Sequence, residues 1–225
     1  MSGRLAAMRP RLFTFDIFGT VLDWRAGLRD ALARAGVVLG DDAFDRVIDA
    51  QAAAEQGPFR PYAAIVAASL ERVLGLDAGA ARSIGEGAGT WPLYPDSREG
   101  LRRLREIAPC AATTNSDREH GDQVQRALGF RLDAWICAED VGAYKPDPRV
   151  WHAAAARTGV EPGPWWWHVS AYADYDLATA RSLGLTTVYV ARPHARPGAS
   201  DLSVFSLAEL ADAAARESGE ATALS

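Results

Sequence analysis

From Tyr94 onward the chain alternates short β-favouring runs with helical patterns, whereas residues 24–91 show helical patterns only. Few folds accommodate that contrast. Cys110 to Thr114, Ala134 to Ala138, Trp165 to Ser170 and Leu185 to Val190 read as strands. Helices are predicted from Asp96 to Ile107, Ser116 to Leu128, Pro146 to Thr158, Asp174 to Leu183 and Ser206 to Ala215. Asp96 with Glu99, and Ser116 with Glu119, have capping-box spacing. Strands joined through helices imply βαβ units, a parallel sheet and right-handed crossovers. Arg192 to Ser200, with two prolines and a glycine, reads as a loop.

The first strand of this series lies far upstream. Arg11 to Phe15 is aromatic and β-favouring, and it runs directly into Asp16, with Gly19 breaking the extended pattern. Helical stripes follow: Trp24, Leu28, Ala31, Leu32 and Ala35; then Phe44, Val47, Ile48 and Gln51; then Tyr62, Ile65, Val66, Leu70, Val73 and Leu74. A weaker helix runs from Asp77 to about Ala88. The expected architecture is therefore α/β: a Rossmann-like parallel sheet with an all-helical cap inserted after strand 1. The core is assigned to residues 1–22 and 93–225 and the cap to 23–92, placed to close over the strand ends.

Four chemistry-bearing segments each follow a predicted strand, so a parallel sheet brings them to one edge, where ligand crevices lie. They are Asp16 to Thr20, Thr113-Thr114-Asn115-Ser116, Tyr144-Lys145-Pro146-Asp147-Pro148 and His168 to Asp176. Each residue has a plain structural alternative. Asp16, Thr114 and Asn115 suit helix or turn caps, Lys145 a solvated loop, and Asp174 and Asp176 the first turn of a helix. The run Trp165 to Trp167 suits the core, and the four histidines show no paired spacing.

The order of acid, hydroxyl or amide, lysine and acid resembles the haloacid dehalogenase superfamily, over essentially the whole chain and including the cap position. The resemblance implies that Asp16 is a nucleophile. Phosphatases of the superfamily carry a second acid two residues after it and a magnesium-binding acid in the fourth motif; here those positions are Phe18 and Ala171. The pattern is similar to that of the 2-haloacid dehalogenases, which use no metal. It implies attack of Asp16 on a halogen-bearing carbon, an aspartyl ester, and hydrolysis of that ester.

By the same resemblance Thr20, Thr114 and Asn115 hold the substrate carboxylate or halide. Lys145 keeps Asp16 ionised, and Asp176 with Ser170 orients Lys145 or the hydrolytic water. Phe18, Trp151 and Tyr175 supply an apolar wall. The dehalogenases' cap arginine aligns with Ile48; Arg46 and Arg60 are the two candidate replacements, and Arg60 is the preferred one. The fourth motif is one residue longer than theirs, with Tyr172 near their asparagine. The expected substrate is a small 2-haloalkanoic acid. The alternatives are a phosphatase on a small phosphorylated metabolite, which alone would need magnesium with Asp174 supplying the missing carboxylate, and a non-catalytic binding module.

The net charge of −5 comes without a basic run, which argues against nucleic acid as a partner. No apolar run is long enough to span a bilayer. Met1 to Arg11 lacks the apolar region of a signal peptide and reads as a frayed leader of a cytoplasmic protein. Cys110 and Cys137 fall in predicted strands without metal-ligand spacing and read as buried free thiols. A homodimer is among the assemblies left open.

Overall fold

The computed structural model describes residues 8–223, so most of the stretch read as a leader lies outside the described residues. The fully buried strand β1 (Leu12–Phe15) sits at the centre of the sheet. It pairs in parallel with β2 (Cys110–Thr114) on one side and β4 (Trp166–Ser170) on the other. With β3 (Ala134–Cys137), β5 (Thr186–Val190) and β6 (Leu202–Val204), the six-stranded order is β3-β2-β1-β4-β5-β6, every ladder parallel. The order reverses at β1, so the crevice outside its carboxyl end is the natural ligand position. β6 has no counterpart among the predicted strands. With three residues, of which only Val204 is buried, it carries no periodic signal.

Five α-helices lie between β1 and the next strand, of which the first four are α1 (Trp24–Arg34), α2 (Asp41–Glu55), α3 (Tyr62–Leu74) and α4 (Ala78–Glu86). Asp23 caps α1 by accepting from Ala26 N at 3.1 Å, and Gly75 ends α3 in the left-handed conformation. The remaining helices are α5 (Ser97–Arg105), α6 (Arg118–Leu128), the single turn α7 (Ala138–Val141), α8 (Arg149–Thr158), α9 (Ala178–Ser182) and α10 (Leu207–Ala223). Just before α9, Ala173–Leu177 forms a π-helical turn. The α/β fold with a helical cap inserted after the first strand is as expected. Cys110 and Cys137 are buried free thiols, and burial pushes both up, Cys137 to about 12. No helix among the described residues is long and apolar enough to cross a membrane.

Neither capping box forms at the expected residues: at α5 long-range contacts take the acid, and at α6 the box forms one residue on, between Asp117 and His120. The Asp96 carboxylate accepts from Arg192 at 2.7 and 3.0 Å and from Leu207 N at 2.7 Å, tying α5 to α10 instead of capping its own helix. Asp117, not Ser116, precedes α6, and its carboxylate accepts from Tyr62 N at 2.7 Å and Ala63 N at 2.9 Å. Those are orphan donors at the start of α3, so a core residue caps a cap-domain helix. His120 strengthens the joint: its Nδ1 accepts from Asp117 N and its Nε2 donates to Gly85 O at 2.9 Å. Burial holds His120 below the usual imidazole range, consistent with a neutral ring.

Candidate active site

Asp16 directly follows β1, and Asp16 N donates to Val169 O at 3.0 Å, extending the pairing by one residue past the strand. Gly19 then turns the chain at φ +96°, a conformation side chains other than glycine's rarely adopt. A Cβ there would also lie 2.0 Å from the Tyr172 hydroxyl. The turn returns Thr20 to the carboxylate: Thr20 Oγ1 donates to Asp16 Oδ2 at 2.7 Å and accepts from Ala171 N at 2.9 Å.

The Lys145 ammonium bridges two carboxylates, donating to Asp16 Oδ1 at 2.9 Å and to Asp176 Oδ2 at 2.7 Å, and all three side chains are buried. Loss of hydration alone would lower Lys145, but the two facing carboxylates outweigh it and hold its pKa above the ordinary value. Burial likewise raises Asp176, yet Lys145 and His168 together hold it well below the usual carboxylate range. Asp16 behaves otherwise. Burial pushes it up, Lys145 pulls it down, Asp176 pushes it up again, and the net direction is upward. Lys145 does favour the ionised form as expected, but it does not overcome burial. The cluster holds two carboxylates and one ammonium, and the excess negative charge falls on Asp16, leaving it more basic than a solvated carboxylate.

The far oxygen of Asp176 lies 3.0 Å from His168 Nε2. His168 is the register partner of Thr14, and its Nδ1 is 2.8 Å from Thr14 Oγ1, which accepts from Trp166 Nε1 at 2.7 Å. Because the indole only donates, the Thr14 hydroxyl is free to donate to Nδ1, which assigns the imidazole proton to Nε2 and points it at Asp176. Histidine spacing in the sequence carried no trace of this network. Its partners meet through strand register and through the turn after β4.

Above Asp16 lies a cavity of about 780 Å³, closed on the cap side by Ile48, Gln51 and Glu55 of α2 and by Tyr62 of α3. Phe18 packs against Tyr62 and Trp91 with ring centroids 5.5 and 6.0 Å apart. Tyr175, Thr114, Asn115 and Lys145 also line the cavity. Asn115 is held on both ends: its Oδ1 accepts from Lys145 N at 2.6 Å and its Nδ2 donates to Glu55 Oε2 at 2.8 Å. Burial raises Glu55 to about 7, against the lowering effects of Asn115 and Lys145. Glu55 escaped the sequence reading because it is an isolated acid at the end of an amphipathic helix. The recoverable signal was its position seven residues after Ile48, on the same helix face.

The geometry places several of the expected site residues outside the cavity lining. Trp151 is fully buried on α8 against the opposite face of the sheet, its ring 5.5 Å from that of His168, so it forms no part of the cavity wall. Ser170 is buried and accepts from Tyr172 N at 3.1 Å. It shapes the turn after β4 and makes no hydrogen bond to Lys145. Thr20 is committed to Asp16 and Ala171 and does not line the cavity. Arg60 is exposed; its backbone, not its guanidinium, engages the Tyr144 hydroxyl. Asp176 has both oxygens occupied inside the protein and faces Lys145 rather than the cavity.

The donor set does not fit a divalent cation. Lys145 already bridges Asp16 and Asp176, Ala171 is a buried apolar residue, and Asp174 is exposed and ion-paired with Arg196 at 3.2 Å. Among the described residues no cluster of three or more His, Cys, Asp or Glu is arranged to hold a metal.

The family model of the haloacid dehalogenase-like hydrolases matches residues 10–164. The (S)-2-haloacid dehalogenase 4A of Burkholderia cepacia is 34% identical over 104 residues. That stretch is 44% of this chain and 43% of the enzyme, so the match spans less than half its length. The crystal structure of an L-2-haloacid dehalogenase superposes with a TM-score of 0.78 at 29% identity, covering 91% of this chain and 99% of that one. A defluorinating L-2-haloacid dehalogenase superposes with a TM-score of 0.79 at 25% identity, covering 92% and 95%.

Proposed function

This chain belongs to the haloacid dehalogenase-like hydrolases, and from that premise we propose that it releases halide from a small 2-haloalkanoic acid through an ester formed on Asp16. The observation that carries this reading is the Lys145 ammonium set between Asp16 and Asp176, with Phe18 and Ala171 where a phosphatase would need acids.

Asp16 attacks the halogen-bearing carbon; the Asp16 oxygen–carbon bond forms as the carbon–halogen bond breaks, and the electron pair leaves with the halide. Halide departs without a proton, so an acid at position 18 is not needed. Burial by Phe18 and the cap strips water from the carboxylate, and the raised basicity of Asp16 favours attack on carbon. Lys145 aims the carboxylate, and Thr20 fixes its second oxygen. Thr114 and Ser116 line the same floor; the Ser116 hydroxyl accepts from Thr114 and has its own proton to give to a substrate anion. Water then cleaves the ester at the Asp16 carbonyl, releasing a 2-hydroxy acid. The buried apolar Ala171 and the Lys145 bridge between the two carboxylates support a reaction run by protein side chains alone.

The test is chloride release from 2-chloropropionate and chloroacetate without added metal, beside phosphate release from small phosphate esters with magnesium. Chloride in the first and no phosphate in the second is the expected result. Phosphate release with no chloride would overturn the reading.

A further inference from the structure

We propose that Glu55, carried by cap helix α2, is the base that takes a proton from the water attacking the Asp16 ester. This rests on the reading above and concerns only its second half.

Displacement of halide needs no proton transfer, but ester hydrolysis does: water must lose a proton as it bonds to the carbonyl carbon. The fourth-motif residues expected to prepare that water are engaged elsewhere. Asp176 gives one oxygen to Lys145 and the other to His168, and Ser170 serves the backbone of Tyr172. Two other carboxylates line the cavity, and each has a cation of its own: Asp147 with Arg149 at 2.8 Å and Asp174 with Arg196 at 3.2 Å. His194 stands exposed at the mouth. Burial raises Tyr62 and Tyr175 well above the ordinary phenol value, which leaves both as protonated walls.

Glu55 meets the remaining requirements. It lines the cavity with Asp16, and no Lys, Arg or His pairs with it among the described residues. Asn115 clamps Oε2 at 2.8 Å and is itself locked to Lys145 N, so Glu55 is braced against the loop that carries the lysine. The other oxygen makes no hydrogen bond among the described residues. The charged and titratable groups facing Glu55 are Asp16, Lys145, Tyr62, Tyr144 and Tyr175. Burial places its titration near neutral pH, where a carboxylate can both accept a proton and return it.

The atoms balance. The water oxygen bonds to the Asp16 carbonyl carbon as one water proton passes to Glu55. The tetrahedral species collapses by breaking the bond to the alkyl oxygen, which takes the proton back from Glu55 and leaves as the hydroxyl of the product. Asp16 keeps the water oxygen and releases the remaining proton to solvent.

The test is Glu55→Gln with 2-chloropropionate. Rapid release of one chloride per enzyme is expected, followed by a stall with the ester retained on Asp16, seen by intact mass. Steady turnover should fall by about a hundredfold or more. In the wild-type protein, steady turnover should rise with pH through about 7, and that limb should be missing from the residual rate of the variant. The initial chloride burst certifies that the variant is folded. Turnover within threefold of wild type would overturn the inference, and so would loss of the burst together with turnover. A wild-type protein that releases no chloride sinks the underlying reading and the inference with it.

Discussion

His168 Nε2 lies 3.0 Å from Asp176 Oδ1, and neither side chain is reached by solvent. This contact fixes the acid that faces Lys145, and so sets the position of the ammonium beside Asp16. Asp176 is thereby held ionised between Lys145 and His168 and does not line the cavity.

Replacing His168 with phenylalanine keeps a planar ring and removes the donor to a buried carboxylate. Hydrogen bonds to charged groups contribute about 1.5–3 kcal/mol, so His168→Phe should be destabilised by that amount in a urea titration. Turnover should fall with little change in KM, because Lys145 loses a fixed partner while the cavity wall is untouched. An unchanged urea midpoint would contradict the role.

Asp16→Asn should abolish halide release. It should not unfold the protein. Folding raises the Asp16 pKa, so the ionised carboxylate weakens the folded state at neutral pH. A neutral amide of the same shape removes that cost: its Oδ1 can accept from Lys145 while its Nδ2 donates to the Thr20 hydroxyl. The melting temperature at pH 7.5 should match or exceed that of wild type, and a drop of several degrees would show that the ionised form is net stabilising.

Glu55 contributes a pH-dependent stability whose sign follows from its raised pKa. The folded state keeps its proton up to about 7 while the unfolded chain loses it near 4.5. Between those values the folded state binds more protons, so this contribution is present below the unfolded pKa and is lost as pH rises through about 7, by up to about 3 kcal/mol. Urea titrations from pH 5 to 8 should show a decline in the wild-type protein that is shallower in Glu55→Gln. Parallel curves would refute the assignment.

Asp117→Ala should loosen the cap where it meets the core. Two amides at the start of α3 lose their acceptor, a change worth about 1–2 kcal/mol. Hydrogen exchange at Tyr62 and Ala63 should accelerate, while the strands stay protected. Unchanged exchange at those two amides would rule out the capping role.

Which parts of this were visible in the linear chain follows from the range of the forces involved. Alternation of β-favouring and helical runs is local, and a parallel sheet brings every strand's carboxyl end to the same edge. Asp16, Thr114, Lys145 and Asp176 could therefore be gathered before any coordinates. Direction was less legible. Trp151 and Arg60 carry suitable side chains in suitable segments, yet one packs beneath the sheet and the other points outward. Asp96 and Ser116 had the spacing for local caps, but tertiary partners proved stronger competitors for Asp96, and the cap of α6 formed one residue on, between Asp117 and His120.

The order of elements, the cap inserted after the first strand, and the meeting of four motifs at one sheet edge were determined by the sequence itself, because periodicity and chain connectivity specify them. The tertiary structure decided which oxygens are occupied, that His168 serves Asp176, and that Glu55 lines the cavity that holds the nucleophile. Those contacts join residues far apart in the chain, and only packing, burial and strand register select them.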